Sequence, residues 1–163
     1  MQLKPCSPDF RHSAIESSSL FYKICRSTRQ DIVMRKETKN WLQMVDYDIK
    51  TAECMFKTGR YVYVVFMCHL AIEKMLKVVV SEAAGKTPPM THNLIYLLKL
   101  SEVNPPQPLY DFISIISNAS IPTRYPEDFE KLIEVYPKKI AKDYFIKTQE
   151  IVKWLKQDKR LKE

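Results

Sequence analysis

Three side chains at four-residue steps carry the first chemical signal in this sequence: His69, Glu73 and Lys77. On a helix that spacing lines up one face, with Lys74 at its edge. Glu73 before Lys77 is also the favourable order for an exposed ion pair, worth about 0.3–0.5 kcal/mol. The face therefore reads either as a ligand or partner surface or as a solvated salt bridge. His92 follows Thr91, a plausible helix N-cap, where a histidine can hydrogen-bond locally or join a site. Arg124-Tyr125-Pro126 is the third signal. An arginine fork suits two-point capture of a phosphate, and a tyrosine can stack on a base. The alternative is an arginine that satisfies helix-end carbonyls while Tyr125 packs. Taken as ligand groups, Lys74, Lys77, His92 and Arg124 are expected to converge on one polar groove that accepts phosphate, with Tyr125 beside it.

Other chemistry is thinly represented. Cys6, Cys25, Cys54 and Cys68 form no CxxC, and with His12, His69 and His92 they give no zinc spacing, so no metal and no cofactor are expected. Cys68 and His69 are adjacent, and adjacent helical residues point about 100° apart, which makes a poor nucleophile–base pair. Free thiols in a reducing compartment follow. Only two glycines are present, Gly59 and Gly85, against ten prolines, so glycine-rich phosphate loops are absent. The net charge is +7. Residues 138–163 hold nine Lys/Arg against four Asp/Glu, which reads either as an electrostatic footprint for phosphates or as a solvated lysine face near a helix C-terminus.

The elements that must position these residues are helices. At 163 residues with 45% hydrophobic content, a single core is feasible. Trp41, Val45, Asp48/Ile49, Ala52 and Met55/Phe56 recur at steps of three and four, which predicts a helix over about 36–58 closed by Gly59. A second runs over 61–84. Tyr61-Val-Tyr-Val-Val-Phe66 could pass for a strand, but the helical step continues to Val79 without a turn residue, and length decides. Tyr61, Tyr63, Phe66 and Met67 cover the face its core stripe leaves over, which implies a central helix with part of that face in a dimer. Further helices are expected from Thr91 to about Leu100, over 109–118, and over about 138–160. Residues 119–136, with Pro122 and Pro126, read as an ordered loop with a turn or two. The serine-rich stretch 1–33 reads as a poorly ordered extension, an over-extended translation start, ahead of a folded domain over 34–163. Charge-free runs reach only 12 residues, too short to span a membrane, and Lys4, Asp9, Arg11 and Glu16 interrupt any secretory signal. A soluble, cytoplasmic, all-α bundle of four to five antiparallel helices is the expectation.

Four pieces in order carry a resemblance. They are Trp41 with the helix ending at Thr58-Gly59-Arg60-Tyr61, then Ala71-Ile72-Glu73-Lys74-Met75-Leu76-Lys77, then Thr91-His92-Asn93-Leu94, then Thr123-Arg124-Tyr125-Pro126. Over about 36–157 the chain resembles the HEPN family, the higher eukaryotes and prokaryotes nucleotide-binding domain. The resemblance implies an up-and-down helical bundle, usually dimeric, often encoded beside a small nucleotidyltransferase with which it forms a complex of toxin–antitoxin type. Many members of the wider superfamily are metal-independent ribonucleases, whose motif is an arginine followed after four to six residues by a histidine. No arginine here has a histidine at that distance. Arg60 and His69, nine apart, come nearest.

Three functions are therefore weighed. The first is a binding module for nucleotide or polyanion, partner to a nucleotidyltransferase and not obviously catalytic. The second is a ribonuclease with a displaced pair, Arg124 with His92. The third is a purely structural helical dimer.

Overall fold

A computed structural model describes residues 34–161, all within one compact unit. The extension expected over 1–33, with Leu20, Phe21 and Ile24, lies outside the described residues. Six α-helices follow one another: α1 (Lys36–Lys57), α2 (Tyr61–Ala84), α3 (Leu94–Ser101), α4 (Gln107–Arg124), α5 (Phe129–Val135) and α6 (Lys138–Leu155). A 3-10 turn, Lys159–Leu161, completes the described chain. No strand is present among the described residues.

The link between α1 and α2 is set by one glycine. Gly59 takes φ +75°, and the amides of Gly59 and Arg60 donate back to Phe56 and Met55 at 3.2 and 2.8 Å. This double closure ends a helix and reverses the chain. The reversal makes α1 and α2 antiparallel along their whole length. Thr38 donates to Glu82, Lys74 reaches Asp48, and Phe56 meets Tyr61.

The second helix is the centre of the bundle and packs on α1, α3, α4 and α6. Its Val64, Cys68, Ile72, Met75, Leu76 and Val79 are buried, against Val45 and Ala52 of α1, Leu94 and Leu97 of α3, Ile113 and Ile116 of α4, and Ile151 and Leu155 of α6. A helix apolar on several sides must be covered on several sides, and this one is. Of the four residues on its leftover face, Tyr61, Phe66 and Met67 are half-buried within the bundle and Tyr63 is exposed.

Three boundaries differ from the sequence reading. The third helix is capped by Asn93, whose side chain accepts from the Tyr96 amide at 2.9 Å, while Thr91 accepts from the Asn93 amide one step earlier. The fourth helix does not stop at 118. It runs through Pro122 to Arg124, and α5 follows in the stretch read as a loop. Pro122 removes one backbone donor, to the carbonyl of Asn118, but both residues are exposed, so water replaces that bond. Finally α6 ends at Leu155. Asp158 accepts from both the amide and the guanidinium of Arg160, a local arrangement that competes with continuing the helix.

Candidate functional site

The second helix carries four buried polar residues at four-residue steps: His69, Glu73, Lys77 and Ser81. Ser81 is held by Arg35, at the start of α1. The other three form the back of an ionic centre built on Glu73. Lys77 Nζ donates to Glu73 Oε1 at 2.8 Å. The Glu73 Oε2 atom lies 2.9 Å from His92 Nδ1 and 3.9 Å from Arg124 Nη2. Three elements thus meet at one carboxylate: the middle of α2, the turn before α3 and the C-terminal end of α4.

The expectation of an exposed Glu73–Lys77 pair is corrected by this geometry. Both side chains are buried, because α1, the turn before α3 and the end of α4 close over that face. Lys77 also lies over the Trp41 ring, 5.5 Å from its centroid, so its charge is compensated by a carboxylate and an aromatic face. Burial alone would push the Glu73 carboxyl up. Hydrogen bonds from Lys77 and His92 outweigh it and hold the group below its ordinary value. A carboxylate accepts only, so Nδ1 of His92 carries the proton and its Nε2 is the free ring nitrogen. The His92 ring is 61% exposed.

His69 closes the bottom. It is fully buried, and both ring nitrogens lack a hydrogen bond of good geometry among the described residues. Its Nδ1 lies 3.8 Å from Glu73 Oε2, but burial pushes its pKa down to about 4, with Glu73 and the backbone of His92 opposing and the charges of Arg124 and His92 adding to the shift. It is therefore a neutral ring at pH 7, and the contact with Glu73 is not an ion pair.

Arg124 completes the front. Its guanidinium lies over the Phe66 ring, 5.3 Å from the centroid, and one-fifth of its side chain remains open to solvent. At 3.9 Å from Glu73 it makes no hydrogen bond there, and its donors find no acceptor among the described residues. Tyr125, which follows it, is 78% exposed.

Of the residues expected to share a groove, Lys77, His92 and Arg124 meet at Glu73. Lys74 does not. It turns to the α1 side and donates to Asp48 at 2.5 Å, because a step of one from Glu73 rotates it by about 100°. Burial raises the Asp48 carboxyl despite that bond. The sequence reading missed Glu73 as the hub, His69 as its floor, and Phe66 and Trp41 as the rings beneath the cations. The four-residue spacing pointed to the first two; nothing local pointed to the rings. Lys147 of α6 pairs with Asp143, and Lys156, just past its end, pairs with Asp46. Cys68 is buried in the core, and burial raises its thiol pKa to about 12, which leaves it unreactive. No cluster of metal-ligating side chains is found among the described residues.

The class of protein this defines is an all-α bundle with a buried carboxylate on its central helix that draws together Lys77, His92 and Arg124 from three elements. A family model settles which bundle: the HEPN domain matches residues 38–159, and the chain belongs to that family. Two solved structures share the fold. One is TT1696 from Thermus thermophilus, at 21% identity and TM-score 0.64, covering 76% of this chain and 98% of that one. The other is ST0689, an archaeal HEPN homologue, at 21% identity and TM-score 0.60, covering 73% and 94%. No curated protein matches the chain.

Proposed function

We propose that this protein is a nucleotide-binding module whose phosphate contact is made by Arg124 and His92, in a cytoplasmic complex of toxin–antitoxin type with a small nucleotidyltransferase. One observation carries the binding reading. Arg124 is fixed in place by Phe66 and Glu73, yet its guanidinium makes no hydrogen bond to any described residue and is partly open to solvent. An arginine held in position with its donors unspent is ready for a two-point anion contact. Lys77 contributes charge from behind without touching the ligand, and Tyr125 is free to stack on a base. The test is equilibrium binding of 5′-AMP at low salt. Affinity should fall at least tenfold in Arg124→Ala and in His92→Ala and less than twofold in Lys159→Ala. Equal losses would mean general attraction to lysines and would remove the site. The partner is tested by the neighbouring reading frame and by co-purification of the two products; a neighbour that encodes no nucleotidyltransferase removes that part.

The ribonuclease reading is favoured by a different observation. Glu73 holds Nδ1 of His92 and leaves Nε2 outward, the arrangement that lets a histidine move a proton, with an arginine close by for phosphate charge. Cleavage of RNA by the purified protein, lost in both Arg124→Ala and His92→Ala, would establish it.

A further inference from the structure

We infer that the site takes one terminal phosphate, a phosphomonoester, rather than a run of internal phosphodiesters. This rests on the nucleotide-binding reading and narrows it. Only two of the clustered side chains, Arg124 and His92, present hydrogen-bonding groups to solvent. Lys77, Glu73 and His69 are nearly or wholly closed off, and Lys74 is spent on Asp48. Arg124 and His92 both approach a single oxygen of Glu73, which brings them close enough together to close on one anion.

The hydrogen-bonding groups on offer match a monoester. A terminal phosphate offers three free oxygens, one of which can carry a proton, and an internal diester offers two and no proton. The Arg124 fork supplies two parallel N–H donors, and the outward Nε2 of His92 is an acceptor for the P–OH of a singly protonated monoester. A polymer threaded through would also need cations on either side. The chain leaving Arg124 carries Glu127 and Asp128 instead, and only Asp128 is paired, with Lys131 at 3.1 Å. Of the basic residues late in the chain, Lys147 and Lys156 are tied to Asp143 and Asp46. The result is a contact point for one phosphate rather than a track for many.

The experiment compares a DNA octamer ending in hydroxyls with the same octamer carrying a 5′-phosphate, alongside 5′-AMP, adenosine and inorganic phosphate. DNA lacks the 2′-hydroxyl that a ribonuclease would need, so cleavage does not confuse the result. The phosphorylated octamer should bind at least tenfold tighter than its hydroxyl-ended twin and no more than a few-fold tighter than 5′-AMP. Inorganic phosphate should compete and adenosine should not. Equal affinity of the two octamers, both still lost in Arg124→Ala, would overturn the inference while leaving the nucleotide-binding reading intact. Binding of 5′-AMP that is unchanged in Arg124→Ala would overturn both.

Discussion

His69 ties the chemistry of the site to the acid stability of the fold. Its folded pKa, about 4, lies below the unfolded 6.5. Between those values the unfolded chain binds a proton that the folded chain does not, so stability falls as the pH falls. The loss approaches about 3 kcal/mol by pH 4. Glu73 acts lower down. Its folded carboxyl is held below 4.5, so its contribution is complete above 4.5 and is lost as the pH falls through the folded value. Denaturant unfolding at pH 7, 5.5 and 4.5 should therefore show a decline that His69→Phe largely removes; a decline that persists in the variant places the acid sensitivity elsewhere. Glu73→Gln should cost about 3–5 kcal/mol at pH 7, because Lys77 keeps its charge in a buried place without its counter-ion. A shift in denaturation midpoint reads it directly, and a near-neutral result would mean that Lys77 reaches water. At this scale the sequence showed the four-residue spacing of His69, Glu73 and Lys77 but not their burial. Spacing fixes which side of a helix a residue occupies, and burial depends on which elements close over that side. His92 and Arg124 stand out in the sequence as residue types that suit a phosphate; that Glu73 brings them together is a tertiary fact.

Helix by helix, the bundle was readable where periodicity ran long. The spans of α1 and α2 agree with the pattern to within a residue, and Gly59 ends the first as expected. The misreading came at Pro122. A proline normally argues against a helix, but in an exposed last turn it costs only a bond that water replaces, and so α4 continues to Arg124. Had α4 ended at 118, Arg124 would stand on a loop instead of on a helix end anchored by Thr123, which donates to the Ala119 carbonyl at 2.7 Å. Two kinds of substitution test the elements. Met75→Asp and Leu76→Asp each place an unpaired carboxylate at a fully buried position of α2 and should unfold the bundle, seen as loss of the cooperative melt; variants that melt as the wild type does would mean the core stripe is misplaced. Glu102, which ends α3, sits at φ +55° although it is not glycine. Glu102→Gly should raise stability by about 1 kcal/mol, since glycine adopts that conformation without the side-chain clash. A loss of stability would mean that the Glu102 side chain holds a contact the backbone cost conceals.

At the scale of the whole molecule, part of the exposed apolar surface lies on α5. Phe129 and Ile133 line a groove there with Tyr63. We propose that this face, rather than the whole leftover side of α2, joins two copies. Light scattering after size exclusion at micromolar concentration should give a dimer, and Ile133→Lys should give a monomer of unchanged helicity; a wild-type monomer would remove the interface. No helix among the described residues is long and apolar enough to cross a membrane. The family was legible from four short motifs because each of them marks a helix end or a buried face of α2. The way the chain gathers charge at Glu73 required the three-dimensional arrangement. That gathering is the centre of the account, and nuclear magnetic resonance of the side-chain nitrogens tests it most directly. Titration with 5′-AMP should shift the His92 ring nitrogens and the Arg124 guanidinium first and furthest, with the α6 lysines unmoved. Shifts confined to Lys138, Lys139, Lys142 and Lys153, with His92 and Arg124 unchanged, would contradict it.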